Sequence, residues 1–138
     1  MKEKILDAVV SNIDELAEFI DSQLSQLMVT ESEKMKLQIA AEELFVNVAS
    51  YAYAPGKGKI LILAEVDPKD NKIELTFTDW GVPFNPLDRE DPDITLPAEK
   101  RRIGGLGIFM VKKEADELDY WRKDQTNNVR LEKKFKGR

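Results

Sequence analysis

Residues 57–80 read "KGKILILAEVDPKDNKIELTFTDW". Two β-type runs, 57–68 and 72–80, are joined by Pro68, Lys69, Asp70 and Asn71, a turn-forming cluster. Their natural product is an antiparallel hairpin. Upstream, "KILDAVV" (4–10) reads as a further short strand. "SNIDELAEFIDSQLSQLM" (11–28) then changes period, with Ile13, Leu16, Ala17, Ile20, Leu24 and Leu27 at three- and four-residue steps. That spacing predicts a helix, with Ser11 or Asn12 to cap it. "VTESEK" (29–34) is a turn, and Thr30 or Ser32 caps a second helix running to about Tyr53, where Pro55 and Gly56 stop it.

Downstream, residues 81–103 hold four prolines and no sustained period. A stretch of that length in a small domain is a functional lid or a disordered loop. "GGLGIFMVKKEAD" (104–116) is a glycine cluster entering a short helix. "ELDYWRKD" (117–124) and "NNVRLEKKF" (127–135) form a closing hairpin with its turn near residues 125–127. Helices and hairpins are thus segregated rather than alternating. The expected fold is α+β: a two-layer sandwich of a mostly antiparallel sheet covered on one face by helices. One domain, 1–138, accounts for the chain.

Composition narrows the function. The 138 residues are 42% hydrophobic and 34% charged, a globular balance with enough apolar surface for one core. A net charge of -5 gives no electrostatic reason for nucleic acid or an anionic membrane as a direct partner. The absence of cysteine excludes disulfides and thiolate metal sites, and the absence of histidine excludes an imidazole base. Acid–base chemistry therefore falls to Asp, Glu, Lys or Tyr. Acids interrupt the first apolar residues, which fits neither a signal peptide nor a membrane span, so a cytoplasmic location is expected.

Three polar clusters stand out. On the second helix, Lys36, Glu43, Asn47 and Ser50 fall along one stripe, while Leu37, Leu44 and Val48, widened by Ile39, Val46, Ala49 and Tyr53, form the apolar face. Glu43 and Asn47 are i,i+4 neighbours. A carboxylate and an amide oxygen there can hold a hard cation and orient a nucleophile, although a solvated helix face has the same pattern. In "TDWGVPF" (78–84), a strand ends in Asp79 and Gly81 breaks it. A fixed carboxylate can accept from an exocyclic amine such as that of adenine, and an ordinary Asp-x-Gly turn looks the same. In "GGLG" (104–107), glycines before a helix expose N–H groups that suit phosphate, or serve as a hinge. Arg101 and Arg102 lie just upstream, to meet phosphate or to solubilise the loop.

The order of the clusters is more specific than any one of them. Glu-x-x-x-Asn on a helix, Asp-x-Gly-x-Pro-Phe after a strand, a long loop, then Gly-Gly-Leu-Gly-Ile opening a helix resembles the GHKL ATPase superfamily with its Bergerat ATP-binding fold. "DWGVPFNP" (79–86) and "IGGLGIFMVKKEADELDYWRKDQTNNVRLEKKF" (103–135) are similar to the anti-sigma-factor serine/threonine kinases, the RsbW-type branch, over essentially the whole chain. The histidine-kinase branch usually has a second glycine in place of Pro83.

The resemblance implies Glu43 as general base and Asn47 as ligand of Mg2+. It implies an ATP site of Asn47, Asp79 for the adenine amine, Gly81 for room at the ring, and Gly104, Gly105, Leu106 and Gly107 for the phosphates. Arg102 is the nearest candidate for the terminal phosphate and Arg101 the next. Asn128 falls where the family often has a threonine near the adenine, and Tyr51 where relatives often carry histidine. The lid would span about 85–103. The implied activity is ATP-dependent phosphorylation of a STAS-domain anti-sigma-factor antagonist, with an RNA polymerase sigma factor as second partner and a homodimer common in the branch. The competing functions are a non-catalytic ATP/ADP-binding regulatory module and a detached histidine-kinase catalytic domain.

Overall fold

The computed structural model describes residues 1–53, 57–88 and 105–137. The expected α+β sandwich is the observed fold. Five strands, β1 (Lys2–Asp7), β2 (Lys59–Asp67), β3 (Lys72–Asp79), β4 (Glu117–Lys123) and β5 (Thr126–Lys134), form one sheet in the order β1-β2-β3-β5-β4. Every neighbouring pair is antiparallel. The helices are α1 (Ile13–Leu24), α2 (Glu31–Asn47) and α3 (Gly105–Glu114).

Strand alternation decides which side chains enter the core. Ile60, Ile62 and Ala64 of β2, Ile73, Leu75 and Phe77 of β3, and Val129 and Leu131 of β5 are buried. They form one apolar cluster with Leu16, Ile20 and Leu24 of α1, Leu37, Leu44 and Phe45 of α2, and Ile108 and Val111 of α3. The alternate positions Glu74, Thr76, Arg130 and Glu132 lie on the open face, where Arg130 pairs with Glu74 at 3.3 Å, Glu117 at 3.2 Å and Asp119 at 2.9 Å.

Local chemistry sets the element ends. Thr30 caps α2 in a reciprocal box: its side chain accepts from Glu33 N at 3.1 Å, and Glu33 Oε1 accepts from Thr30 N at 3.1 Å. Asn12 makes no cap bond to α1 and instead donates to Asp7 O at 2.8 Å. β1 ends at Asp7, short of the expected Val10, because Val9 and Val10 are exposed and Val10–Asn12 turns as a 3-10 segment. In the β2–β3 turn, Asn71 adopts φ 54°. Its side chain accepts from Met28 N at 2.8 Å and donates to Met28 O at 2.9 Å and Phe135 O at 3.1 Å. Asp124 and Gln125, at φ 50° and 69°, make the two-residue turn between β4 and β5.

α2 departs from expectation in two ways. The regular helix ends at Asn47, and Val48–Ala52 continue as a π-helical turn. Its faces also differ: Ile39 is 41% exposed, whereas Asn47, expected on the polar stripe, is 1% exposed. α2 packs against both α1 and α3, so its buried arc is wider than one face.

Candidate functional site

Asp79 closes β3 at a core-facing position, two residues beyond Phe77, and is 3% exposed. Its Oδ1 accepts from Gly81 N at 2.9 Å and from Asn127 Nδ2 at 2.9 Å. Its Oδ2 makes no hydrogen bond among the described residues. Burial holds the carboxyl above its ordinary pKa, while the two hydrogen bonds and the nearby Arg122 charge pull the other way without cancelling it. A recessed carboxylate with one oxygen bonded and the other open fits a ligand donor such as an exocyclic amine.

Asn127 is the residue that β5 brings to Asp79, because the two are register partners. Its Nδ2 also donates to Val82 O at 2.8 Å. Its Oδ1 accepts from Phe84 N at 3.1 Å and from Tyr120 OH at 2.6 Å. Both donors and both lone pairs are used, which fixes the amide orientation. Asn128, the residue singled out from the sequence, pairs with Thr78 on the opposite face. It accepts from Thr78 Oγ1 at 2.7 Å and donates to Thr126 Oγ1 at 3.0 Å. The fold therefore does not bring Asn128 to Asp79. The sequence did hold the signal: Asn127, Val129 and Leu131 alternate, so the first asparagine shares the apolar residues' face.

Glu43 and Asn47 meet as their spacing predicts. Asn47 Nδ2 donates to Glu43 O at 2.7 Å and lies 3.3 Å from Glu43 Oε1. The amide nitrogen is thus turned to the carboxylate; an asparagine ligates a hard cation through its oxygen. No group of three or more His, Cys, Asp or Glu suited to a metal occurs among the described residues. A cation held at Asn47 would take most of its oxygens from ligand and water.

The π-helical turn ties this end of α2 to the exit of β3. Ala52 O accepts from Val82 N at 3.0 Å. Tyr53 OH accepts from Trp80 N at 2.7 Å and donates to Lys59 O. Burial raises the Tyr53 pKa, which keeps the phenol a donor. Tyr51 packs against Phe84, with ring centroids 5.5 Å apart. Gly81 is required by this seam: a Cβ there would lie 2.3 Å from Ala52 O. Arg122 Nη1 adds a bond to Gly81 O at 2.8 Å. The sequence placed Tyr53 only on the apolar face of the helix, since its bond to Trp80 joins residues 27 apart, and it did not single out Tyr120, whose partner Asn127 lies across the β4–β5 hairpin.

Gly105, Leu106 and Gly107 open α3, whose Ile108 and Val111 are buried in the core. Arg101, Arg102 and Gly104, and residues 89–103 of the expected lid, lie outside the described residues. Among the described residues no helix is long and apolar enough to cross a membrane.

A five-stranded antiparallel sheet backed by helices is the fold of histidine kinase-like ATPase domains. The family profile described as "Histidine kinase-like ATPase domain" matches residues 6–133, and the chain belongs to that family. It is similar to the serine/threonine-protein kinase BtrW of Bordetella bronchiseptica, 24% identical over 98 residues, covering 71% of this chain and 68% of that protein. It is also similar to the serine-protein kinase RsbW of Listeria monocytogenes, 30% identical over 86 residues, covering 59% of this chain and 54% of that one. The chain thus spans about two thirds of the first relative and about half of the second. Its fold resembles the solved histidine kinase domain from the Erythrobacter litoralis EL346 blue-light activated histidine kinase, with a TM-score of 0.52 at 13% identity. That likeness covers 89% of this chain and 59% of the other.

Proposed function

We propose that this chain is an ATP-dependent protein serine/threonine kinase of the anti-sigma-factor type. Its acceptor would be a STAS-domain antagonist, and it would sequester an RNA polymerase sigma factor in the cytoplasm; a homodimer, common in that branch, is one assembly open to it. The observation that carries the reading is the Glu43–Asn47 pair, 3.3 Å apart, on the helix whose end is tied to the exit of the Asp79 strand. A domain that only binds nucleotide needs the Asp79 pocket but no carboxylate held beside a metal-ligating amide. The kinase names of two relatives support the reaction class.

Asp79 would accept the adenine amine through Oδ2. Asn47 would hold Mg2+ through its amide oxygen, and the metal would neutralise charge on the phosphates. Gly104, Gly105, Leu106 and Gly107 would offer N–H groups to the phosphates, and Arg102 a charge to the terminal one. Glu43 would take the proton as the acceptor hydroxyl oxygen bonds to the γ-phosphorus. The bond from that phosphorus to the β–γ bridging oxygen breaks, giving a phosphoester and ADP.

The test is Glu43→Ala assayed with Mg-ATP and a STAS-domain acceptor by intact mass. Nucleotide binding is retained, and phosphoryl transfer falls by about 10^2- to 10^4-fold, the worth of a positioned base. Transfer at the wild-type rate would remove Glu43 from the mechanism. Nucleotide binding without any transfer by the wild-type chain would favour the non-catalytic module.

A further inference from the structure

We infer that Asn127 is a positioning residue for nucleotide recognition: it holds Asp79 so that Oδ2 alone faces the base, and it locks the 82–84 segment to the same point. The inference rests on the reading of Asp79 as acceptor for an adenine amine, and adds to it the residue that sets the acceptor's orientation. Asp79 sits at the end of its strand, where a short side chain has more than one rotamer available. Two N–H groups converge on Oδ1, from Gly81 and Asn127, each at 2.9 Å. Rotating the carboxylate away would strand the Asn127 donor at a buried site and the Gly81 donor at a half-buried one, and the buried loss costs more than the bond itself is worth. Oδ2 is therefore fixed as the open acceptor.

The other three bonds of Asn127 reach further. Val82 O and Phe84 N grip the chain as it leaves β3, so the segment leading toward residues 85–103 shares an anchor with the base acceptor. Tyr120 OH, from the edge strand β4, holds the amide from behind. Removing Asn127 leaves the carboxylate on Gly81 N alone and takes two of the bonds that hold the segment, whereas removing the Tyr120 hydroxyl only loosens the amide.

A ratio of affinities separates positioning from mere stability. ATP and purine riboside triphosphate, which lacks the 6-amino group, are titrated by calorimetry into wild type, Asn127→Ala, Tyr120→Phe and Asp79→Asn. Partial unfolding lowers both affinities alike and leaves the ratio intact. Wild type should favour ATP by about 10- to 100-fold, the worth of one hydrogen bond to a charged group. Asn127→Ala should lose most of that ratio, Tyr120→Phe a smaller part, and Asp79→Asn all of it. If Asn127→Ala does not fold, Asn127→Ser takes its place, and a retained wild-type ratio there counts equally against the inference. A full ratio in Asn127→Ala beside a lost ratio in Asp79→Asn overturns the role of Asn127 and leaves the base acceptor standing. A wild-type ratio near one, unchanged in Asp79→Asn, overturns the Asp79 reading and this inference with it.

Discussion

Gly81→Ala tests the seam between α2 and β3 most directly. The new methyl would meet Ala52 O at 2.3 Å, Ala52 C at 2.7 Å and Ala52 Cβ at 2.9 Å. Ordinary van der Waals contact begins at about 3.4 Å, so the backbone must separate by about 1.1 Å. The Val82 N to Ala52 O bond starts at 3.0 Å and would pass out of hydrogen-bond range. The lost bond costs about 1 kcal/mol net, and forcing an extra methyl into a packed site costs about 1–3 kcal/mol. The variant should therefore be about 2–4 kcal/mol less stable in urea denaturation, with an unchanged m-value. Nucleotide affinity should fall as well, because Trp80 N and Gly81 N are displaced with the strand exit. Stability within about 0.5 kcal/mol of wild type, the range of a neutral surface change, would show that β3 does not seat on Ala52 and would undo the coupling argued here.

Two further predictions concern stability. Burial raises the Asp79 pKa in the folded state, so its contribution to stability is fully present below the unfolded carboxylate range and is lost as pH rises through the folded value. Asp79→Asn should therefore melt above wild type at neutral pH, with the gain shrinking on acidification; thermal melts from pH 4 to 8 check this, and a constant or reversed difference refutes it. On α2, Leu44→Ala should cost about 2–5 kcal/mol and Ile39→Ser less than about 0.5 kcal/mol. Equal losses in urea denaturation would contradict the observed orientation of that helix.

The sheet and helices were legible because each carries its own period. The runs at 57–68 and 72–80 announce β2 and β3, and the steps from Ile13 to Leu24 announce α1. The order β1-β2-β3-β5-β4 was not, since the pairing of β3 with β5 joins segments about fifty residues apart and no local pattern reports it. Asp79 stood out in the sequence because a glycine follows a strand-terminal acid. The choice between Asn127 and Asn128 turned on register: one residue moves a side chain to the other face, and adjacent asparagines look alike until the strand is paired. Asn47 looked solvated because helical periodicity reports one buried face, whereas α2 is packed on several sides. The π-helical turn has no local signature; its Ala52 carbonyl finds its partner on another element.

The core face of the sheet changes character at a single register pair. Along β3 it reads Ile73, Leu75, Phe77, Asp79; along β5 it reads Leu131, Val129, Asn127. Both strands turn from apolar to polar at the same step. A pair serving only to staple the two strands would be cheaper as two amides or two apolar residues, because a carboxylate loses more hydration on burial than either. Arg122, the charge opposing that cost, spends Nη1 on the Gly81 carbonyl rather than on the Asp79 carboxylate. Asp79 keeps one oxygen bonded twice and the other without a protein partner; no buried side-chain nitrogen or oxygen among the described residues lacks a partner, so that second oxygen is open to solvent. A solvent-open acceptor beside a fixed one suits a ligand donor, and the proposed adenine site accounts for a carboxylate at this end of the core.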